Sequence, residues 1–550
     1  MLTNMSTIII ICFTLYTIVL FVVTRLSTRR GHTTDDAYFR ANRKSPWLVV
    51  AYGGIGATLS GVTFMSVPGF VASSAFTYFG VVLGNLVGYV IMALILLPLY
   101  YKLNLTSIYD YLNQRFGFWT QRTGSLFFFL SRLLGSALRM YLVVYVLHEF
   151  VLKAMGIPFW VSAVVFITII LLYTFQGGIR VIIWTDTLQT TFMLAATLLT
   201  LYFLLKEVDL SFLSFIKTSS AEGYTKLLET DWRAGNFYLK QILSGIFLTI
   251  ALNGLDQDMI QKNLSCRKLK DAQKNVFVLS LSLIVVNLLF LTLGAALLVY
   301  ANHTGFVLPE NPDSIFPAIA FNLSHVTIVL FIIGLLAAGY SSADGTLTAL
   351  TTVICFDFLG FSNKEAAVKQ KVSFWKFSII LFCCFVLAIL IGGDIIQNAL
   401  LQKILPCLFF AVLLLSIVYI ISLFTQYHIP DNRKTTVRKI VHVICAFLFL
   451  CVIIVFKPFH DESLIKIVLS IAALSYGPLL GMFSFGLFTK WKINPLGEKY
   501  IPLIAVSAPS ICYLLKIFSA ELFNGYQFGF ELLIINGLLT FIGMCFLIKQ

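Results

Sequence analysis

Gly53-Gly54-Ile55-Gly56-Ala57-Thr58-Leu59-Ser60-Gly61 stands in the middle of an apolar run, residues 46 to 72, that is long enough to cross a bilayer as a helix. Glycine in a helix interior costs about 1 kcal/mol relative to alanine, so this run predicts a helix that opens near its middle. Inside a membrane such a break is tolerated only against protein or a water-filled cavity, where freed carbonyls can bind cations. A second run, residues 238 to 261, carries Asn253-Gly254 and predicts a second break. Broken helices at corresponding positions of two repeated halves mark the central site of a secondary transporter. The first break opens a series of five spans, residues 46 to 206, and the second opens another, which suggests an inverted repeat. The competing reading of these glycines is close helix packing, as the GxxxG spacing of Gly84 and Gly88 suggests.

The rest of the chain agrees with a membrane protein. Of its 550 residues 59% are hydrophobic and only 12% charged, with a mean hydropathy of +0.91, far from the globular average. About fifteen apolar runs are long enough to span: 6 to 25, 46 to 72, 76 to 102, 120 to 150, 158 to 175, 180 to 206, 238 to 261, 272 to 302, 328 to 360, 374 to 393, 398 to 425, 438 to 456, 463 to 489, 500 to 517 and 528 to 548. Basic residues alternate between the connecting loops. Arg25, Arg29, Arg30, Arg40, Arg43 and Lys44 follow the first span, Arg267, Lys268 and Lys270 the seventh, Arg433, Lys434, Arg438 and Lys439 the eleventh, and Lys490, Lys492 and Lys499 the thirteenth. Cytoplasmic loops collect Lys and Arg, which puts the N-terminus outside and, with an odd number of spans, the C-terminus in the cytoplasm. The net charge of +14 is thus a matter of topology. It forms no single patch of the kind a nucleic acid needs.

Several function classes drop out. The longest polar stretches are 26 to 45, 207 to 237, 303 to 327 and 426 to 437, too short for a soluble catalytic domain; the second, with Leu210, Phe212, Leu213, Phe215 and Ile216 between charges, suits an amphipathic surface helix. No GxxxxGK[ST] run supports an ATP-driven pump, and no HExxH or GxSxG spacing supports a membrane enzyme. A sensor built on a transporter-like body would need a signalling domain, whereas the sequence stops at Gln550 directly after its last span. The first run lacks a basic leader or a cleavage site and reads as a retained span. Ten cysteines, mostly single except Cys383-Cys384, read as small buried hydrophobes.

The most telling polar residues are Ser341-Ser342-Ala343-Asp344, inside the run 328 to 360. A carboxylate there must pair or bind a cation, and neighbouring hydroxyls are the oxygen ligands that a hard ion prefers. Ser341, Asp344, Gly345 and Thr348 recur at i, i+3, i+4 and i+7 and share one helical face. The bland reading of the serines is a hydroxyl bonding back to its own helix.

Three motifs in order resemble those of the sodium:solute symporters. Gly177-Gly178-Ile179-Arg180-Val181-Ile182-Ile183-Trp184-Thr185-Asp186-Thr187-Leu188-Gln189 is similar to the family's GG-x4-WTD-x2-Q signature; Asp256-Gln257-Asp258-Met259-Ile260-Gln261-Lys262-Asn263-Leu264-Ser265 is similar to its DQ-x3-QR-x-L-[SA] run; the third is the Ser341-Ser342 helix ending in Asp357. The resemblance implies an all-α, LeuT-like bundle of five plus five inverted helices with extra flanking helices, and one sodium site with carbonyl ligands Gly56, Leu59 and Ala338 and hydroxyl ligands Ser341 and Ser342. It also implies a second cation site at Asp186, Ser341 and Asp344, although Asp344 and Gly345 stand where serines are expected. Two close carboxylates would hold a cation or share a proton, so proton coupling is the alternative co-ion. Asp186 has a blander role as the partner of Arg180. Tyr476-Gly477-Pro478-Leu479 resembles the tenth core helix, and the surplus of spans before it makes 372 to 427 an inserted hairpin.

The resulting division is 1–45, an extra span with a cytoplasmic loop; 46–206, the first repeat; 207–237, an external loop; 238–489, the second repeat; and 490–550, extra helices. The solute belongs beside the first break, with Thr58, Ser60 and Thr63 as hydrogen-bonding groups. Arg139, inside the fourth span, needs an anion that a solute carboxylate would supply; Arg132, one heptad earlier, competes for that role, and a protein carboxylate competes for Arg139. Thr58, Leu59, Ser60 and Thr63 with Arg139-Met140 are similar to the sialic-acid branch. The expected partners are Na+, a small solute and the lipid of the plasma membrane, with no nucleic acid and a monomeric chain. A facilitator or channel on the same fold is the remaining alternative.

Overall fold

The computed structural model describes residues 2–28, 35–361, 430–456, 464–523, 526 and 528–549. Among them the secondary structure is helical, with three isolated β-bridges and no strand ladder. The membrane-length helices are α1 (Leu2–Thr28), the bent pair α2 (Trp47–Thr58) and α3 (Gly61–Ser74), α4 (Phe79–Lys102), α5 (Phe118–Leu147), α6 (Phe159–Phe175) and α7 (Gly177–Glu207). The surface helix α8 (Phe212–Ala221) follows. Then come the second bent pair, α9 (Tyr238–Gly254) and α10 (Gln257–Leu264), α11 (Leu269–Thr304), α12 (His325–Phe358), α13 (Arg433–Val455), α14 (Val468–Phe488), α15 (Ile501–Ile517) and α16 (Leu532–Cys545). The expected spans 374 to 393 and 398 to 425, the inserted hairpin, Cys383-Cys384, Arg29 and Arg30 lie outside the described residues.

Both expected breaks are present, and each differs from its sequence reading in the same way. In the first, Gly53, Gly54 and Gly56 remain helical, and the chain opens just beyond them, where Leu59 (φ −87°, ψ 121°) and Ser60 (φ −105°, ψ 175°) are extended and the axis bends by 59°. In the second, Asn253-Gly254 closes a π-turn and the break falls at Leu255 and Asp256, with a bend of 65°. The glycines serve packing instead. A Cβ on Gly53 would lie 3.0 Å from Asp186 Cβ, and one on Gly56 would lie 2.5 Å from Thr190 Oγ1, so their absence lets α2 press on α7.

Burial ranks the helices. α5 and α12 are each 78% buried over their apolar windows, against 17% for α1 and 22% for α15; the first two form the centre and the last two the periphery. α12 packs most extensively on the α6–α7 pair, and α4 on α9. The α4–α9 contact uses the GxxxG spacing, since a Cβ on Gly84 would sit 2.9 Å from the Gly245 Cα. Between α6 and α7 the chain turns at Gly178, whose φ of 50° and ψ of −143°, pressed on the Tyr38 ring and carbonyl, exclude a side chain. The far end of α12 is tied to the rest by Asp357, which accepts hydrogen bonds from Ser107 (2.6 Å), Ser125 (2.9 Å) and Gln121 (3.1 Å).

Candidate ion and solute site

The α2–α3 break frees two particular carbonyls. In an unbroken helix the amide of residue 60 would bond the Gly56 carbonyl and that of residue 63 the Leu59 carbonyl. Here Ser60 and Thr63 form a reciprocal capping box: the Ser60 amide donates to Thr63 Oγ1 (3.4 Å) and the Thr63 amide to Ser60 Oγ (3.5 Å). Gly56 and Leu59 therefore keep their oxygens for another partner. The break lies against the centre of α12, because Gly56 and Ser341 approach so closely that a Cβ on Gly56 would be 3.4 Å from Ser341 Oγ, and one on Gly61 would be 4.0 Å from Gly339 Cα.

On α12 the two serines behave differently. Ser342 donates back to its own helix, to the carbonyls of Gly339 (2.9 Å) and Ala338 (3.3 Å), whereas Ser341 donates to Asp186 Oδ1 on α7 (2.8 Å). In both cases the hydroxyl proton is committed and the oxygen lone pairs stay open to a cation. The break thus comes against the stretch of α12 that carries Ser341 and Ser342, and its carbonyls and these hydroxyls are oxygens of the type a hard monovalent ion takes.

Asp186 is almost fully buried, and its partner is Lys262 of α10 (Nζ–Oδ2 3.0 Å) rather than Arg180. Lys262 also pairs with Asp258 (3.3 Å), Asp258 pairs with Arg132 of α5, and Arg132 reaches Asp256 (3.4 Å), which accepts from Tyr476 of α14 (2.6 Å). One continuous chain of charge runs from Ser341 to Tyr476. Asp344 lies beside it and accepts from Tyr173 (3.0 Å), Thr185 (3.3 Å) and the Gly345 amide (2.6 Å).

This network uses residues whose role the sequence reading left unassigned. Asp256, Asp258 and Lys262 were visible as a motif, and Asp258 and Lys262 at i and i+4 already share a face of one helix; three charges in so apolar a chain were the available signal. Their partners on α5, α7 and α14 are more than 70 residues away and leave no local trace.

Thr58, Ser60, Thr63 and Arg139 all line one cavity of about 120 Å3, closed by Tyr78, Tyr89, Leu252, Asn253 and Leu469 among others. Thr58 donates back to the Gly54 carbonyl (2.8 Å). Arg132 borders the cavity too, but its guanidinium is held by the two aspartates. Arg139 makes no ion pair among the described residues. A larger cavity of about 480 Å3, lined by Ser73, Asn236, Gln241, Lys516 and Phe528, shares Tyr78 and Leu469 with the first and leads to the loop that follows α8.

Known proteins are similar to this chain. The sodium/sialic acid symporter NanT of Aliivibrio fischeri is 26% identical over 353 residues, 62% of this chain and 68% of its own length; SiaT of Proteus mirabilis is 27% identical, over 64% and 71%. The human sodium/iodide cotransporter is 22% identical over 68% of this chain and 59% of its own. The solved structure of a substrate-bound, outward-open Na+-coupled sialic acid symporter superposes with a TM-score of 0.71 at 20% identity, covering 99% of both chains, which shows the same LeuT-like fold. The model of the sodium:solute symporter family matches residues 38–427, well over half of the chain: the protein belongs to that family, and it couples the movement of a solute to that of sodium.

Proposed function

We propose that the solute is a small hydroxylated organic acid of the sialic-acid class and that it is imported, with the sodium and solute sites on the two sides of the α2–α3 break. Sodium is held by the carbonyls of Gly56, Leu59 and Ala338 and the hydroxyls of Ser341 and Ser342. The observation that carries this is the capping box, which withdraws from the helical ladder the two amides that would otherwise occupy Gly56 and Leu59.

For the solute, Arg139 is the anchor. A guanidinium bordering a membrane-embedded cavity with no carboxylate paired to it among the described residues favours an anionic ligand gripped in two places, with Thr58, Ser60 and Thr63 at hand for hydroxyls. The similarity to NanT and SiaT supports the same class. The cavity is smaller than the roughly 300 to 1,000 Å3 of ordinary ligand sites, so entry requires movement of the Tyr78 and Leu469 wall that parts it from the larger cavity. Sodium favours the state open to that larger cavity, the solute joins it, and the bundle rocks to the opposite side; coupling is the difference in affinity between states.

The sidedness follows from Arg40, Arg43 and Lys44, from Arg267, Lys268 and Lys270, and from Lys490, Lys492 and Lys499: these loops face the cytoplasm, the N-terminus is outside and the C-terminus inside the plasma membrane.

Purified protein in liposomes, given an inward sodium gradient, should take up labelled sialic acid. Arg139→Ala should lower that uptake roughly 10- to 100-fold, the value of a charge-assisted hydrogen-bonded contact of about 1.5–3 kcal/mol, while sodium binding persists. Undiminished acid uptake by Arg139→Ala would remove the arginine from the site.

A further inference from the structure

We infer that the second cation position, beside Asp186, is permanently held by the ammonium of Lys262, so that each chain binds a single sodium ion. The inference rests on the sodium site proposed above and sets its stoichiometry. Three observations carry it.

The first is position. Lys262 Nζ stands 3.0 Å from Asp186 Oδ2 and 3.3 Å from Asp258 Oδ1, with the lysine side chain 5% exposed and both aspartates 1%. Asp186 spends its other oxygen on Ser341. A free cation between these oxygens would have to displace a cation that is covalently tethered and needs no diffusion to return.

The second is room. Gly345 faces Asp258 so closely that even a Cβ would collide with its carboxylate. The missing side chain at 345 is what admits Asp258, and with it Lys262, to the face of α12 that also carries Ser341 and Asp344. A hydroxyl-bearing residue at 345 would occupy the same space with a neutral ligand.

The third is charge. Asp344 accepts from Thr185, the residue before Asp186, so two carboxylates stand on this side of the site against the one charge of Lys262. The Lys262 ammonium already neutralises Asp186 and repels a further cation from this side of the site. At the other end of the chain Asp256 and Asp258 face Arg132, and Arg139 borders the same cavity as Arg132.

The test counts sodium. Equilibrium binding of 22Na+ to the purified full-length protein, without solute, should saturate at one ion per chain with a Hill coefficient of about 1. Lys262→Met and Lys262→Gln should both open a second site and raise the count to two, while Lys262→Arg should remain at one. Two ions bound by the unaltered protein, or neutral variants that still bind one ion with unchanged affinity, would overturn the assignment. If the neutral variants do not fold, the count on the unaltered chain decides: two ions refute the inference and one supports it. An unaltered, folded chain that binds no sodium at all would overturn the sodium site on which the inference rests, and the inference with it.

Discussion

Ser341 is the residue on which the two halves of the ion chemistry meet. Its proton goes to Asp186 and its oxygen lies close to Gly56 of α2, so Ser341→Ala removes one proposed ligand of the ion and one hydrogen bond of a buried carboxylate. Hydrogen bonds to charged groups are worth about 1.5–3 kcal/mol, and the sodium concentration for half-maximal uptake should rise roughly 10- to 100-fold; sodium-dependent uptake measured across a concentration series would show it, and an unshifted curve would contradict the assignment. Gly56 is constrained by contact. Gly56→Ala places a methyl group 2.5 Å from Thr190 Oγ1, which forces α2 off α7 at a cost of about 1–3 kcal/mol, visible as a lower Tm and weaker sodium binding together. Much of this was legible in the sequence. Ser341 and Ser342 stand out because hydroxyl groups are costly in membrane spans, whereas Gly56 and Leu59 entered as ligands through the resemblance to the symporter family. Lys262 was not legible as a ligand of Asp186, because 76 residues separate them and only the bend at Leu255 and Asp256 brings α10 back to α7.

At the scale of elements, the break in the first core helix is made by a capping box and not by the glycines that precede it. Glycine content announced the right segment for a reason that proved to be different: these residues let α2 approach α7, and the extended pair Leu59-Ser60 turns the chain. The device is testable. Thr63→Val removes the acceptor of the Ser60 amide and lets that amide return to the Gly56 carbonyl, so sodium affinity should fall with little loss of fold stability, about 1 kcal/mol for a lost cap. Parallel measurements of 22Na+ binding and thermal unfolding separate the two effects; equal losses in both would contradict the role given to the cap. The GxxxG spacing of Gly84 and Gly88 announced close packing without its partner, which is α9, and Gly84→Leu should abolish that contact, with a large drop in the yield of monodisperse protein. The expectation of an inserted hairpin at 372 to 427 came from counting spans and falls outside the described residues.

For the whole molecule, apolar run lengths gave the expected spans and basic loops an expected orientation, while the LeuT-like fold came from the three motifs that resemble the symporter family. What remained hidden is the line of ion pairs from Asp186 through Lys262, Asp258 and Arg132 to Asp256, which joins α7, α10 and α5 and ends on Tyr476 of α14. It connects the proposed sodium site to the cavity that Arg139 lines, and coupling carried by it should appear as mutual strengthening of sodium and solute binding. Sodium that binds the folded state should also stabilise it, by about 2.7 kcal/mol at one hundred times its dissociation constant; the unfolding temperature should rise in NaCl and not in KCl of equal ionic strength.

The central claim is that sodium running downhill drives a solute uphill through this chain. Liposomes containing the purified protein, loaded with potassium and diluted into sodium, should accumulate labelled sialic acid above its external concentration and release it when an ionophore collapses the sodium gradient. Accumulation that follows an imposed proton gradient in the absence of sodium, or uptake that only equilibrates whatever the gradient, would contradict the account.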